Sequence, residues 1–414
     1  DHRDLHSFPT RRSSDLYSEE NMRHLGAITI GNGETGTYGY VSSKNSLVGA
    51  HAGDSLGENI GPGNNWNWCT TELKNGNVVV MCSRTHSDSM YRVGSITLID
   101  GKNGVSGYIS KSNSLVGSHP NDRVGAFGII PLENGNYIVQ SPEWDNNDIV
   151  NAGAVTWCDG FVPTTGVIDS TNSLVGSHTW DKIGHGYGYY PEISFLDDGN
   201  YLIYSYSWDN GSIADAGAVT WCDGGKPTFG SLNSSNSMVG VSLEDRVGNA
   251  GLIKLKNGDY IIHSKDFNDN NVEHSGALTL IKKGDKPFGN IDKSNSLLGK
   301  LRGTGYEMRV AFDSIRCQYY IGMRTESEVL VRKCDEKIMS ITDYFKSKNV
   351  KIYPNPVSNT LNITGAIEEY IQIYSAMGEK VWSGIYETSI DISNLPSGAY
   401  FARVKGETIK FVKM

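Results

Sequence analysis

The stretch Asn113-Ser114-Leu115-Val116-Gly117 occurs five times along the chain with conservative changes. Its copies begin at Asn45, Asn113, Asn172, Asn236 and Asn295. A second stretch, Gly-(Ala/Ser)-(Ile/Val/Leu)-Thr, precedes each copy and begins at Gly26, Gly94, Gly153, Gly217 and Gly276. Both markers advance in steps of 68, 59, 64 and 59 residues. A period of about sixty residues predicts stacked supersecondary units.

Each unit contains four short apolar runs, which in the second unit centre on Ile129, Ile138, Val155 and Leu174. The runs are rich in β-branched and aromatic residues and end at Gly, Asn, Asp or Pro, which predicts strands. An Asn-Gly or Asp-Gly dipeptide separates the first two runs and favours a two-residue type I′ hairpin. These dipeptides are Asn75-Gly76, Asn134-Gly135, Asp198-Gly199 and Asn257-Gly258. The pattern predicts an all-β fold, a β-propeller of four-stranded blades.

The Asp-x-(Val/Ile/Leu)-Gly element gives a count of the blades. Complete blades start near Asp54, Asp122, Asp181 and Asp245, and a degenerate fifth starts near Gly305. The strands between Gly26 and Gly49 then belong either to a remnant of a sixth blade or to the fifth blade as its closing strand. We assign the propeller repeats to residues 17–340 and a linker to residues 341–350.

The repeat resembles the FG-GAP repeats of the integrin α-subunit propeller. Val124-Gly125 stands where that family has Phe-Gly, Ser141-Pro142 where it has Ala-Pro, and Gly153-Ala154-Val155-Thr156 where it has Gly-Ala-Val-Tyr. The repeat is also similar to uncharacterised repeats of large bacterial surface proteins, which carry Gly-Ala-Val-Thr-Trp and Asn-Ser-Leu-Val-Gly. Together these resemblances cover residues 24–335.

Many FG-GAP blades bind Ca²⁺ in an Asp-rich loop between the first two strands, and that loop is short here. In the second unit it is reduced to Glu133-Asn134-Gly135-Asn136, which cannot supply the six to eight oxygen ligands that calcium takes. A second oxygen-rich loop, Asp145-Asn146-Asn147-Asp148, either binds a cation or forms Asx-turns. We expect no metal site.

The repeat pattern stops near Lys351, and residues 351–414 resemble the C-terminal sorting domain of the type IX secretion system of Bacteroidetes. The resemblance rests on Tyr353, Pro354, Asn355, Pro356, Gly378, Gly398, Tyr400, Lys410 and Lys413. It implies a small immunoglobulin-like β-sandwich that an outer-membrane translocon recognises. It also implies a protein that is secreted or attached to the cell surface. The alternative is an ordinary immunoglobulin-like accessory domain.

The N-terminal stretch that includes His6 to Leu16 resembles the in-frame translation of a sequencing-library adapter. We interpret residues 1–16 as an artefact that is not native, and we exclude them from the functional argument. The signal peptide and upstream blades are then expected to be missing from this chain.

Composition excludes several classes of protein. The net charge is −9, with 38% hydrophobic and 20% charged residues. No apolar stretch approaches the roughly 20 residues that a membrane-spanning helix needs. A nucleic-acid partner is not expected, because phosphate binding requires clustered Lys and Arg. The sequence also contains no Walker loop, Gly-x-Ser-x-Gly elbow or His-Glu-x-x-His helix, so we expect no cofactor.

Two disulfides are predicted from hairpin positions, since an oxidising compartment permits them. A two-residue turn at Asn75-Gly76 places Cys69 opposite Cys82. A turn at Thr325-Glu326 places Cys317 opposite Cys334. Cys158 and Cys222 occupy equivalent positions in successive blades, which is usually too far apart for a bond. No Cys-x-x-Cys motif indicates zinc.

The candidate acid and base residues mostly repeat from blade to blade. They are His51, His119, His178, His185, Glu58, Asp122, Asp181 and Asp245. Repetition favours a structural role, because an active site needs different groups that converge once. A polysaccharide-processing enzyme, the alternative function, would need non-repeated carboxylates, for which Glu58, Glu192 and Glu307 are the candidates.

Aromatic residues indicate a binding function more strongly. Trp144 and Trp208 share one repeated position, which favours packing between blades. The non-repeated aromatics, at which we predict ligand binding, are Trp66, Trp68, Trp180, Tyr187, Tyr189 and Tyr190. Exposed loop aromatics are typical of surfaces that bind sugars or proteins. We therefore expect a non-catalytic, adhesin-like binding module for a polysaccharide or protein; a purely structural spacer is a third hypothesis.

Overall fold

The structure is a computed structural model. It describes residues 11–13, 17–18, 22–31, 39–57, 69–87, 89–185, 193–270, 272–334, 351–364, 370–404 and 407–414. The chain divides into two compact units, Asp1–Ile338 and Met339–Met414, which are described separately. The predicted linker, residues 341–350, lies outside the described residues.

The first unit is built almost entirely of short strands. They are β1 (Arg11–Ser13), β2 (Ala27–Thr29), β3 (Leu47–Val48), β4 (Thr70–Glu72), β5 (Val78–Cys82), β6 (Ser95–Ile99), β7 (Gly107–Tyr108), β8 (Leu115–Val116), β9 (Ile129–Pro131), β10 (Tyr137–Ser141), β11 (Ala154–Cys158), β12 (Gly166–Val167), β13 (Leu174–Val175), β14 (Ile193–Phe195), β15 (Tyr201–Ser205), β16 (Ala218–Cys222), β17 (Gly230–Ser231), β18 (Ser237–Val239), β19 (Gly251–Lys254), β20 (Tyr260–Ser264), β21 (Ala277–Ile281), β22 (Gly289–Asn290), β23 (Leu297–Leu298), β24 (Met308–Asp313), β25 (Gln318–Met323) and β26 (Glu328–Lys333). A four-residue helix α1 (Thr304–Glu307) and a 3₁₀ turn (Arg324–Glu326) lie near its end.

The strands of each repeat form one antiparallel meander. Blade 1 is β4-β5-β6-β8, blade 2 is β9-β10-β11-β13, blade 3 is β14-β15-β16-β18, blade 4 is β19-β20-β21-β23, and the degenerate blade 5 is β24-β25-β26. The four strands predicted in the second unit are all present, as blade 2. Strands β2 and β3 form a separate sheet ahead of blade 1 and are not part of the blade 5 sheet. Strand β1 lies in the stretch that we interpret as adapter-derived and pairs antiparallel with β2.

Successive sheets pack face to face, and their central strands are buried on both sides. In β10, Val139 packs in one cluster with Val79 of blade 1. Its neighbour Ile138 points the other way and packs with Ile203 of blade 3. Burying such a side chain contributes roughly 1.5–3 kcal/mol. The first unit is therefore all-β, with propeller-like blades whose core lies between the sheets.

Blades 1 to 4 each also lend a two-residue strand to the sheet before them, which the sequence did not predict. These strands pair in parallel with the last strand of the preceding meander: β7 with β3, β12 with β8, β17 with β13 and β22 with β18. The described sheets of blades 1 to 3 therefore have five strands rather than the predicted four.

The first hairpin of each blade is confirmed, but its predicted turn type is wrong. Leu73 N–H donates to Asn77 O (2.8 Å), so the loop has three residues, Lys74 to Gly76. A type I′ turn requires positive φ at both central residues. Here Gly76 has φ 84°, but Asn75 is not among the residues with positive φ. The same left-handed glycine occurs at Gly135, Gly199 and Gly258.

This longer loop overturns the predicted Cys69–Cys82 disulfide. It shifts the hairpin register by one residue, so that Met81 N–H donates to Cys69 O (2.8 Å) and Cys82 is no longer opposite. Cys69 and Cys82 are buried thiols, as are Cys158 and Cys222. The Cys317–Cys334 disulfide is present, with the two Cα atoms 5.3 Å apart across the β25–β26 hairpin.

The marker Asn113-Ser114-Leu115-Val116-Gly117 is explained by its contacts. Asn113 Oδ1 accepts from Ser110 N–H (2.9 Å), and Asn113 Nδ2 donates to Tyr108 O (2.9 Å), which closes the loop between β7 and β8. Leu115 and Val116 are buried in the core.

The other two marker positions join it to the Gly-Ser-Ile-Thr stretch. The hydroxyl groups of Ser114 and Thr97 are hydrogen bonded at 2.7 Å inside the blade. A Cβ on Gly117 would lie 2.4 Å from Val93 O, so only glycine fits there. The two markers therefore recur together because each provides contacts for the other.

The second unit contains β27 (Ile352–Tyr353), β28 (Thr360–Ile363), β29 (Tyr370–Ser375), β30 (Lys380–Ile385), β31 (Ile390–Asp391), β32 (Gly398–Val404) and β33 (Glu407–Lys413). Its two sheets, β27-β28-β31 and β30-β29-β32-β33, enclose one core, as in an immunoglobulin-like β-sandwich.

One of the predicted sorting residues, Asn355, joins the two ends of the second unit. Asn355 Oδ1 accepts from Val412 N–H (3.0 Å), and Asn355 Nδ2 donates to Lys410 O (3.3 Å). Tyr400 is buried and donates its hydroxyl proton to Pro396 O (2.8 Å). Gly378 has φ 84° in the β29–β30 turn.

Candidate functional site

The repeated aspartates are fully buried and hold loops together. Asp122 Oδ2 accepts from Ser118 N–H (2.6 Å) and His119 N–H (2.7 Å), and its Oδ1 accepts from Asp145 N–H (2.9 Å). Asp54, Asp181 and Asp245 accept equivalent backbone hydrogen bonds in their blades. Burial raises the pKa of Asp122 and Asp245 to about 6, although the N–H donors oppose the increase. Each of these buried carboxylates thus joins two loops by accepting their backbone N–H groups, an arrangement that we call the staple.

The loop that follows the second strand of blade 2 uses its polar side chains in the same way. Asp145 Oδ1 accepts from Asn151 N–H (2.7 Å), and Asn146 Nδ2 donates to Gly176 O (3.0 Å). Trp144, just before this loop, is only 2% exposed and packs between blades 1 and 2. Trp208 is 3% exposed at the equivalent position. In the described ranges, no three His, Cys, Asp or Glu side chains form a group suited to a metal ion.

Trp180 differs sharply from these buried tryptophans. Its side chain is 56% exposed, and its backbone is left-handed with φ 71°. The residue before the buried aspartate is left-handed in the neighbouring blades too, and it is Gly53, Asn121 and Glu244 there. Left-handed backbone costs an L-residue about 1–2 kcal/mol, and glycine and asparagine tolerate it best.

A bulky residue at such a position costs stability and gains little packing in return. Residues with strained backbone conformations cluster at functional sites, so the strain supports a functional role for Trp180. Trp180 N–H donates to the carbonyl oxygen of the exposed Val150 (3.0 Å), and the Lys182 ammonium lies 4.9 Å from the Trp180 ring centroid. We call Val150, Trp180 and Lys182 the Trp180 rim.

The other residues of the predicted site are not brought together by the described structure. Trp66, Trp68, Tyr187, Tyr189 and Tyr190 lie outside the described residues, as do Glu58 and Glu192. Glu307 lies 3.9 Å from Arg324, near the surface of blade 5.

Sequence reasoning missed the contact of Lys182 with the Trp180 ring and the left-handed backbone at Trp180. The sequence did contain a signal for this conformation. The position before the buried aspartate holds Gly, Asn, Trp and Glu in successive blades, and glycine is the residue that adopts positive φ most readily.

Comparison with known families now identifies the repeat. A repeat of unknown function (DUF5650) matches residues 13–58, 72–126, 131–185, 195–249 and 254–305. The chain belongs to the DUF5650 repeat family. In this DUF5650 chain, residues 351–414 match the secretion system C-terminal sorting domain. The protein is therefore secreted or attached to the cell surface, and its tail engages the secretion system.

Solved structures that resemble the DUF5650 chain include a surface component of the type IX secretion system, PorZ of Porphyromonas gingivalis. It shares 13% identity over 95% of this chain and 50% of its own, with a TM-score of 0.27. Two extracellular domains of B. thetaiotaomicron also match. One belongs to a one-component system (10% identity, 94% and 55% coverage, TM-score 0.22). The other belongs to a hybrid two-component system (13%, 98% and 56%, TM-score 0.23).

The DUF5650 chain spans about half the length of these structures, and TM-scores this low carry no functional argument. It matches none of the curated proteins. Within the described residues, no helix has the length and apolar character needed to span a membrane.

Proposed function

We propose that this protein is an adhesin-like binding module whose ligand is a polysaccharide, and that Trp180 contacts the sugar rings. One observation carries the proposal: Trp180 is a large aromatic residue, 56% exposed, in a left-handed backbone position that other blades fill with Gly53, Asn121 and Glu244. An aromatic ring offers a large apolar face with little conformational freedom to lose on binding. The sorting domain supports the proposal because it delivers the repeats to the cell exterior.

A polysaccharide-processing enzyme is the rival function, and the same experiment tests it. The repeated aspartates already accept backbone N–H groups, which favours binding over catalysis. Among the non-repeated carboxylates, that of Glu307 forms an ion pair with the Arg324 guanidinium, with 3.9 Å between Oε2 and Nη1.

The test uses the full chain on a polysaccharide array, with titration calorimetry of the hits and an assay for released reducing ends. We expect binding without hydrolysis, and at least a tenfold loss of affinity in Trp180→Ala. Phe288→Ala is the matched control, because Phe288 is an aromatic residue of blade 4 that is 66% exposed and lies outside the Trp180 rim. Equal loss in both variants, full affinity in Trp180→Ala, or hydrolysis would overturn the proposal.

A further inference from the structure

A basic residue follows the buried aspartate in three successive blades: Arg123, Lys182 and Arg246. All three have left-handed backbone, with φ of 44°, 47° and 41°. Their equivalent placement allows the surroundings of one to be compared with those of the others.

Arg246 in blade 4 is surrounded by acids. Its guanidinium lies 3.4 Å from Asp215, 3.6 Å from Glu244 and 4.0 Å from Asp266. Arg123 in blade 2 is also neutralised, since its guanidinium lies 3.0 Å from Glu143.

The three positions that hold acids around Arg246 hold neutral residues around Lys182. Asn151 replaces Asp215, since Lys182 N–H donates to Asn151 O (3.1 Å) as Arg246 N–H donates to Asp215 O (3.1 Å). Trp180 replaces Glu244, because both immediately precede the buried aspartate. Ser207 replaces Asp266, because the two precede the equivalent residues Trp208 and Phe267.

Lys182 therefore lacks the three acidic neighbours that surround Arg246 at the equivalent position. In the part of the chain that the structure describes, its ammonium forms no ion pair with a carboxylate, and it lies over the Trp180 ring at 4.9 Å. Together with burial, its charge lowers the pKa of the nearby His185, which favours a neutral imidazole. Lys182 is a partly exposed residue, so its ammonium can pair with an anionic group from outside the protein.

We propose that the Trp180 rim binds an acidic saccharide, with a sugar ring against Trp180 and its carboxylate or sulfate group paired with Lys182. This inference rests on the proposed function and names its ligand class. A charge-assisted hydrogen bond is about twice as strong as a neutral one, so the pair gives selectivity over neutral sugars. The net charge of −9 does not prevent binding, because distant charges are screened beyond about 8 Å at physiological ionic strength.

The test measures affinity of the full chain for matched acidic and neutral polymers by calorimetry. Polygalacturonate is compared with its methyl ester, and dextran sulfate with dextran, so that the two pairs separate carboxylate from sulfate. We expect at least tenfold tighter binding to the acidic member of one pair. Lys182→Gln should abolish that preference, and so should Asn151→Asp, which restores the acid found at Asp215.

Lys286→Gln is the matched control, because Lys286 also lies over a tryptophan ring, 4.0 Å from the centroid of Trp221, and should leave the preference unchanged. Equal affinity for both members of each pair, or a preference that survives in Lys182→Gln, overturns this inference and leaves the binding function standing. Failure to bind any polymer overturns both. Trp180→Ala, by contrast, should lower the binding affinity for acidic and neutral polymers alike.

Discussion

Glu326 accepts a hydrogen bond from the Thr304 hydroxyl group (3.1 Å) and thereby replaces an aspartate that the fifth blade lacks. Thr304 stands where the other blades have residues such as Asp245. Glu326 also accepts from Lys300 N–H, the group equivalent to Val241 N–H, which Asp245 binds at 2.8 Å. The degenerate blade thus keeps the staple, but its carboxylate comes from the next hairpin turn.

Glu326→Ala should lower the free energy of unfolding by about 1–3 kcal/mol, because it leaves the hydroxyl group of the buried Thr304 without its acceptor. Urea unfolding measures this change. Adding Thr304→Asp to the variant should recover part of the loss, whereas Thr304→Asp alone should destabilise the protein by placing two carboxylates together. Independent, additive effects of the two substitutions would show that Glu326 does not replace the missing aspartate.

Trp180→Asn should raise the free energy of unfolding by about 1 kcal/mol, because asparagine adopts left-handed backbone at lower cost. Asn121 shows that blade 2 accepts this residue at the equivalent position. Thermal unfolding of the variant and the parent measures the difference. A lower melting temperature for Trp180→Asn would mean that the ring contributes packing and that its strain has a structural cause.

The protein should yield four reactive thiols when it is unfolded without a reductant: Cys69, Cys82, Cys158 and Cys222. Alkylation followed by peptide mass spectrometry counts them and should recover a Cys317–Cys334 linked peptide. Removing this link with serine at both positions should cost roughly 3 kcal/mol, since a disulfide restricts the unfolded chain. A linked peptide containing Cys69 and Cys82 would contradict the three-residue hairpin loop.

His263 should make the protein sensitive to mild acid. Burial, aided by the charges of Arg309 and Lys265, lowers the pKa of His263 from 6.5 to about 4. Between these values the unfolded chain binds the extra proton, so stability is complete above about pH 6.5 and falls as the pH drops toward 4. The total effect is on the order of 3 kcal/mol.

His263→Gln tests this effect, because Gln140 donates to Gly184 O (2.8 Å) at the equivalent strand position, much as His263 Nε2 contacts Gly305 O (2.9 Å). Unfolding of the two proteins should differ little at pH 7.5 and diverge below pH 6, with the variant more stable. Parallel pH profiles would exclude His263 as the source.

The sequence predicted the strands well because the repeat presents each strand several times, and the structure confirms the four strands predicted for blade 2. It did not predict the hairpin register, since Asn75-Gly76 suits both a two-residue and a three-residue loop. A one-residue difference between those loops decided the fate of the Cys69–Cys82 prediction. The Cys317–Cys334 prediction is confirmed because its turn lies where the sequence indicated.

The candidate site was only partly accessible to sequence reasoning. Trp180 was identified because it breaks the repeat, and Trp144 was correctly assigned to packing because it follows the repeat. Lys182 was missed, since a lysine in the place of Arg123 and Arg246 is unremarkable until the partners around each cation are compared. Binding at Trp66, Trp68, Trp180, Tyr187, Tyr189 and Tyr190 stays a prediction.

The strands that blades 1 to 4 lend to the preceding sheets limit how such a protein can change in length. Donor and acceptor are the same two elements at all four described joints, so unequal recombination by whole periods of about sixty residues preserves these joints. A breakpoint inside a period separates a lent strand from the sheet that needs it. A change in copy number by whole periods therefore leaves every lent strand paired, whereas a change in the phase of the repeat exposes an unpaired sheet edge.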